Sequence, residues 1–207
     1  TRIPDMATIH YVRQGQALGL GHAVYMAGQH VGAEPFVVML GDDLIDERTP
    51  VLPEMMRVQA RYGGTVLALI EVPEDEIQHY GCAAVAPTDE SDVVRVTQLV
   101  EKPSPGTAPS NLAVIGRYLL QPTIFTALAA QRPGHGGEIQ LTDAIATQIE
   151  VPTESGGGVH AVIFRGHRYD TGDKLSYLKS VVSMALEREE FAEPLRRWLV
   201  DHLESRR

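Results

Sequence analysis

Cysteine is nearly absent from this sequence: Cys82 stands alone among 207 residues. That excludes an intrachain disulfide framework and any cysteine-based zinc centre, and it suits a reducing compartment such as the cytoplasm. Positive charge is scarce too. Eighteen Lys and Arg face 27 Asp and Glu, a formal net charge of −9. This argues against nucleic acid as a partner, because a phosphate backbone calls for a basic patch. No apolar run approaches the roughly 20 residues of a membrane span, and no signal-peptide pattern opens the chain. The eight His form no metal-ligand spacing, and neither an internal repeat nor a heptad run occurs. What is left, 43% hydrophobic and 22% charged residues, is ordinary globular material long enough to bury a sizeable core.

The residues that are present are organised around Phe36-Val37-Val38-Met39-Leu40-Gly41-Asp42-Asp43. Five consecutive apolar residues, two of them β-branched, predict a strand buried on both faces, as at the centre of a parallel sheet. The run stops at Gly41 and two carboxylates. In an open α/β sheet ligands bind beyond the carboxyl ends of the strands, where an aspartate can hold a divalent cation against a phosphate. A plain turn or helix cap is the competing use of the Asp pair. Upstream, Gly15, Gly19 and Gly21 fall within seven residues, just before a helical pattern from Gly21 to His30. Such a loop lets a ligand approach the backbone and meets it with a helix N-terminus. Gln14 offers a donor and an acceptor together, as a nucleobase edge requires. Neither Walker nor dinucleotide-binding spacing is present, so an ordinary strand-to-helix turn competes here as well.

Downstream, the pattern predicts a helix from Pro53 to about Tyr62 closed by Gly63-Gly64. A strand over 65–72 follows, then an antiparallel pair over 80–85 and 93–100 and a strand over 111–120. One helix is expected from Pro122 to about Ala130, and another entered at 138–143 and reaching Ile149. Ser155-Gly156-Gly157-Gly158 reads as the loosest point of the chain. Within this series, Glu101-Lys102-Pro103 ends a strand. Pro103 is expected to keep Lys102 extended. The two charged side chains are either an exposed ion pair, or a carboxylate for sugar hydroxyls beside an ammonium for a phosphate. After a strand over 159–164, Tyr169-Asp170-Thr171-Gly172-Asp173 repeats the theme of aspartate and glycine beyond a strand. Leu175, Leu178, Val181, Val182 and Ala185, then Leu195, Trp198, Leu199 and Leu203, fall at helical spacing. The organisation expected is a main domain over 1–173 and a helical tail over 174–207 that serves packing or an oligomer contact.

Several strings occur in a telling order: Arg13-Gln14-Gly15 with Gly19-Leu20-Gly21-His22-Ala23, Leu40-Gly41-Asp42, Tyr80-Gly81, Glu101-Lys102-Pro103, Ser110-Asn111-Leu112-Ala113 with Gly116-Arg117-Tyr118, Gly137-Glu138-Ile139-Gln140-Leu141-Thr142-Asp143, and Asp170-Thr171-Gly172. In this order and spacing the chain resembles the bacterial UTP–glucose-1-phosphate uridylyltransferases of the sugar-nucleotide pyrophosphorylase family. The resemblance implies an α/β, Rossmann-like nucleotidyltransferase fold with a mixed, mostly parallel sheet flanked by helices. Gln14 and Gly19 would contact the uracil, Asp42 and Asp170 would hold magnesium, and Gly81 and Glu101 would meet the glucose ring. Lys102 would take its phosphate, so that Asp42, Lys102 and Asp170 form the catalytic set. One family feature has no counterpart here, the opening G-x-G-T-R-x-x-P loop that wraps the triphosphate. With Thr1 first and a strand-like run already at Thr8–Val12, residues 1–173 read as a partial nucleotidyltransferase domain, truncated at its N-terminus.

The reaction implied is attack of glucose 1-phosphate on the α-phosphorus of UTP, giving UDP-glucose and pyrophosphate. It would run by positioning and charge neutralisation, with no protein nucleophile. The implied setting is cytoplasmic, with no membrane and no nucleic acid, and the intact protein a homo-oligomer. Without the phosphate-wrapping loop this chain alone is expected to be inactive. Two other readings stand beside this one: a non-catalytic sugar-nucleotide-binding module, and a thymidylyl or guanylyl transferase of the same fold.

Overall fold

Residues 6–205 are described by the computed structural model. They form two compact units, one holding the chain up to Met39 together with Val51–Arg165, the other Leu40–Pro50 and the chain from Gly166 on. In chain order the elements are α1 (Leu20–Met26), α2 (Gly28–Val31), β1 (Phe36–Met39), β2 (Asp43–Ile45), α3 (Leu52–Tyr62), β3 (Thr65–Glu71), β4 (Gly81–Pro87), β5 (Val93–Glu101), β6 (Leu112–Leu120), α4 (Thr123–Ala130), α5 (Leu141–Ala146), β7 (Val159–Ile163), β8 (Arg168–Asp170), α6 (Lys174–Leu186) and α7 (Glu189–Glu204).

The first unit carries a six-stranded sheet in the order β1-β6-β3-β7-β5-β4. A mixed sheet with helices against it is the architecture the sequence predicts. Among the described strands, β3 and β7 run parallel, with Thr65 opposite Val159. The pairs β1–β6, β3–β6, β4–β5 and β5–β7 are antiparallel, a larger antiparallel share than a mostly parallel sheet would have. The reason lies in the connections. β4 and β5 are joined by a short turn, which permits only an antiparallel pair, whereas β3 and β7 are separated by enough chain for a crossover.

Burial on both faces belongs to β6, buried at every residue, and to most of β3 and β7. Helix α3 packs on these strands, α5 packs on β5, and α4 packs on α5; Met55, Val58, Ile124, Leu128, Leu141 and Ile145 on the three helices are all buried. The run Phe36–Leu40 does not have the central place its composition suggests. Its strand β1 lies at the sheet edge, with Val37 38% and Met39 57% exposed. An apolar run is buried on both sides only if something covers both sides, and no described element covers the outer side of β1. For the same reason Thr8–Val12 is not a strand: no described strand pairs with it, and Tyr11 is 93% exposed. Helix α5 ends at Ala146, short of Ile149, and continues as turns.

The glycine run 156–158, read as the loosest point, is a close crossing of backbones. Thr65 N–H donates to Gly158 O (3.0 Å), and Gly158 N–H donates to Gln148 O (2.8 Å). A Cβ at Gly64 would run into the carbonyl oxygens of Gly157 and Gly158, and Gly64 has φ 69°. In the second unit β2 pairs antiparallel with β8, and α6 begins at an aspartate cap, Asp173, which accepts from Leu175 N (2.9 Å) and Ser176 N (3.2 Å). The tail expected from residue 174 therefore belongs to a unit that also holds β2 and β8. Its apolar positions Leu175, Leu178, Trp198 and Leu203 are exposed.

Replacing Gly64 with alanine should cost about 2 kcal/mol or more, from left-handed backbone plus backbone collision. Gly106 has a similar φ of 74° but open space around the added carbon, so Gly106→Ala should cost only about 1 kcal/mol. Urea denaturation of both variants checks this. Equal costs would mean that the crossing at residues 157–158 contributes nothing.

Candidate active site

On the hairpin of the first unit, Gly81 stands opposite Glu101 in register. β5 stops at Glu101, and Lys102 turns sharply with φ 44°, the one positive φ outside glycine among the described residues. The extended Lys102 expected from the following proline is therefore not found. Pro103 disfavours the right-handed helical region for its predecessor, and the Lys102 N–H donates to Tyr80 O (3.0 Å), holding the turn closed. On an unbroken strand neighbours face opposite sides. Here the turn brings the Lys102 Nζ to 3.9 Å from Glu101 Oε1 on one side, with the Glu101 side chain 12% and the Lys102 side chain 45% exposed. Backbone strain of this sort costs on the order of 1 kcal/mol and collects at functional sites. Behind the carboxylate, the Thr142 hydroxyl donates to Glu101 Oε2 at 2.6 Å. A Cβ on Gly81 would lie 3.1 Å from Thr142 Oγ1 and 3.2 Å from Glu101 Oε2, so a side chain there would press on that pair.

The glycine-rich loop sits in the same unit. Ile139 N–H donates to Leu18 O (2.8 Å) and Gly21 N–H to Ile139 O (2.8 Å), which clamps the loop to residues 138–140. A Cβ at Gly19, φ 104°, would come within 2.8 Å of Glu138 Cβ and 2.9 Å of Ile139 O. The close approach that Gly19 permits is thus made by the protein's own backbone, while the space around Gly15 is open. The Gln14 amide nitrogen donates to Gly19 O (3.1 Å) and lies 3.1 Å from His22 Nδ1. With the donor end so engaged, the amide oxygen is the end offered to a ligand.

The carboxylates lie in the second unit. Asp42 follows β1 in a turn, and its carbonyl accepts from Thr171 N (2.7 Å) and Thr171 Oγ1 (2.8 Å). Asp170 ends β8, not β7, and its Oδ1 accepts from Gly172 N (2.9 Å). A Cβ built on Gly172 would be 3.2 Å from both Asp170 Oδ1 and Asp42 Oδ2. Two carboxylates 128 positions apart in sequence therefore flank one small residue. Asp43 takes no part in this pair. It is buried and bound by Arg168 Nε (2.7 Å), whose Nη2 also reaches Asp170 Oδ2 (3.1 Å). Beside them, burial pushes the Tyr169 phenol up to about 12, helped by its hydrogen bond to Glu187 (2.8 Å). No group of three or more His, Cys, Asp or Glu that could hold a metal occurs among the described residues.

The structure thus brings together Gly81, Glu101 and Lys102, pairs Gln14 with Gly19, and pairs Asp42 with Asp170. Sequence reasoning missed Thr142, Arg168 and Thr171. Thr142 and Thr171 lie inside strings already singled out, but nothing in a string says which distant side chain a hydroxyl will meet. A cavity of about 880 Å³ beside Val72, Ile77, Ser104, Ala108 and Asn111 includes none of the predicted site residues.

Against known proteins, residues 3–187 match the family model described as nucleotidyl transferase. The UTP–glucose-1-phosphate uridylyltransferase of Staphylococcus epidermidis is 44% identical over 196 residues, which is 94% of this chain and 66% of that protein. A solved UDP-glucose pyrophosphorylase complexed with UDP-glucose superposes with a TM-score of 0.80 at 40% identity, over 86% of this chain and 66% of that one. A UTP-bound UGPase from Acinetobacter baumannii gives a TM-score of 0.75 at 34% identity, over 89% of this chain and 62% of that one. The chain spans just under two thirds of the length of these relatives.

Asp43→Asn should cost ~2–3 kcal/mol by leaving Arg168 with a poorer partner in a buried place, whereas Asp42→Asn, on an exposed turn, should stay within about 0.5 kcal/mol. Hydrogen exchange at the amides of β2 and β8 reads this locally. Equal protection in the two variants would contradict the structural role given to Asp43.

Proposed function

We propose, since the chain belongs to the nucleotidyl transferase family, that the whole protein transfers a uridylyl group from UTP to glucose 1-phosphate, giving UDP-glucose and pyrophosphate. The observation that carries this reading is the turn at Lys102. It sets a carboxylate and an ammonium 3.9 Å apart on one side of a strand end, a hydroxyl acceptor beside a phosphate donor set. Glu101 accepts from ring hydroxyls, Gly81 leaves room for the ring, and Lys102 holds the phosphate. Gln14 turns its amide oxygen to the N–H of the base, with Gly19 shaping the loop behind it.

Asp42 and Asp170 are the residues that would hold magnesium. The donor set fits: two carboxylates converge on Gly172, and magnesium keeps waters and takes one or two carboxylates plus substrate phosphates. When bound, the ion supplies neutralisation of charge on the phosphates. The protein's part is otherwise positional. Lys102 keeps the phosphate oxygen of glucose 1-phosphate directed at the α-phosphorus of UTP. As the new P–O bond forms, the bond to pyrophosphate breaks, and no side chain becomes covalently attached.

We further read the protein as cytoplasmic, in keeping with its single, buried free cysteine. No described helix is long and apolar enough to cross a membrane. The intact protein is read as a homo-oligomer, supported by the exposed apolar positions on α6 and α7.

The direct test is pyrophosphate release from UTP and glucose 1-phosphate. It should be run on this chain and on the chain preceded by the N-terminal segment of a relative, with other nucleoside triphosphates in competition. Turnover is expected in the longer protein, and a preference for thymidine or guanosine triphosphate would overturn the choice of base. In that protein Asp42→Asn or Asp170→Asn should lower turnover at least ~10²-fold, given what disturbing even the partners of metal ligands does. Near-full activity of either variant in magnesium would remove it from the metal site. Lys102→Ala should raise the KM for glucose 1-phosphate more than that for UTP, and Glu101→Gln should loosen the choice of sugar. Equal effects on the two substrates would count against both roles.

A further inference from the structure

We propose that Thr142 is a positioning residue for the sugar phosphate: its hydroxyl holds the Glu101 carboxylate away from Lys102, so that both charges stay available to a ligand. The inference rests on the reading of Glu101 and Lys102 given above. Thr142 sits in the first turn of α5 and is buried, 7% exposed. Its neighbours Leu141 and Ile145 are each 1% exposed and fix the helix on the sheet, so the hydroxyl is delivered from a rigid element. A helical threonine commonly returns its hydroxyl to a backbone carbonyl one turn back. This one crosses to another element and donates to Glu101 Oε2 at 2.6 Å.

The geometry of the carboxylate follows. With Oε2 engaged by Thr142, Oε1 is the oxygen turned toward the ammonium, and it stops 3.9 Å from Lys102 Nζ. That is the outer limit of an ion pair, although adjacent residues on a turned backbone have ample freedom to close to full contact. A tight pair would spend both groups on each other. The hydrogen bond to Thr142 opposes that closure, because a bond to a charged acceptor is worth more than one between neutral groups. Gly81 completes the arrangement, since any side chain there would press between Thr142 Oγ1 and Glu101 Oε2. Three elements, β4, β5 and α5, thus converge on one oxygen atom that need not touch the substrate.

The test uses Thr142→Val, which keeps the shape and removes the hydroxyl, with Thr142→Ala as a second deletion and Thr142→Ser as rescue. In the ligand-free 207-residue chain, the ¹³Cδ resonance of Glu101 is assigned by its loss in Glu101→Gln. It should shift and relax as a mobile group in the Val and Ala variants and match the original in the Ser variant. Calorimetry with glucose 1-phosphate should show affinity falling about tenfold in Val and Ala and holding within about threefold in Ser, with UTP affinity unchanged. A thermal melt identifies any variant that has not folded. If the Glu101 resonance is the same in Val, Ala and original protein, the positioning role is wrong. If it responds as expected while the unaltered chain and its N-terminally extended form both ignore glucose 1-phosphate, Thr142 does position Glu101 and the sugar-phosphate reading of the site fails. If Val and Ala weaken UTP and glucose 1-phosphate alike, the residue acts on the unit as a whole and the proposal is overturned.

Discussion

One hydrogen bond, from the Lys102 amide to the Tyr80 carbonyl at 3.0 Å, decides where the charges of the first unit's site go. Without it, β5 would run on and put Glu101 and Lys102 on opposite faces of the sheet. With it, the strand ends in a left-handed residue and both side chains share a side. The cost is a strained φ on a residue with a long side chain, of order 1 kcal/mol. The strain is tolerable because the hairpin is paired from Gly81–Glu101 to Pro87–Val94, with a single shift of register between Ala84 and Val85. The buried strands β3, β6 and β7 serve as the rigid base from which the turn is built. A local irregularity of that kind persists only where regular structure around it leaves the backbone no alternative.

How much of this was legible in the sequence depended on the range of the interaction that sets each feature. Helix α3 was readable from Pro53 and Gly63, and the hairpin β4–β5 from two β-rich runs and a polar turn, because the determining residues lie within the element. The strand β6 is legible over 111–120, but its burial at every residue is not, because Arg117 stands inside the run. The place of Phe36–Leu40 was not. Five apolar residues say that a strand is suited to burial, but whether both faces are covered is decided by segments far away in the chain. The conformation of Lys102 was misjudged because a local rule, the effect of a following proline, was applied where a contact to residue 80 decides.

The candidate site divides along the same line. Asp42 and Asp170 are legible as carboxylates near a glycine beyond a strand, and Glu101 and Lys102 as two charged residues at a strand end before Pro103. Thr142 escaped because a threonine inside a helix carries no signal until its partner 41 positions earlier is known. Asp43 illustrates the converse. In sequence it is indistinguishable from Asp42, yet one is buried against Arg168 and the other is exposed beside Gly172. Asp42 lies in the turn after β1, whereas Asp43 opens β2 and pairs with β8, and that difference in place separates their surroundings.

The bridge made by Arg168 has a consequence for how the second unit keeps its acidic groups in place. Two acidic groups gathered around one glycine repel each other, and in the absence of a cation such a cluster tends to spread. Arg168 answers part of that repulsion from behind, holding Asp43 and Asp170 with two of its nitrogens, while the Gly172 amide steadies the other oxygen of Asp170. The unit therefore carries a permanent internal counterion. The orientation of Asp170 is thus set during folding by the protein's own groups, Arg168 on one carboxylate oxygen and the Gly172 amide on the other.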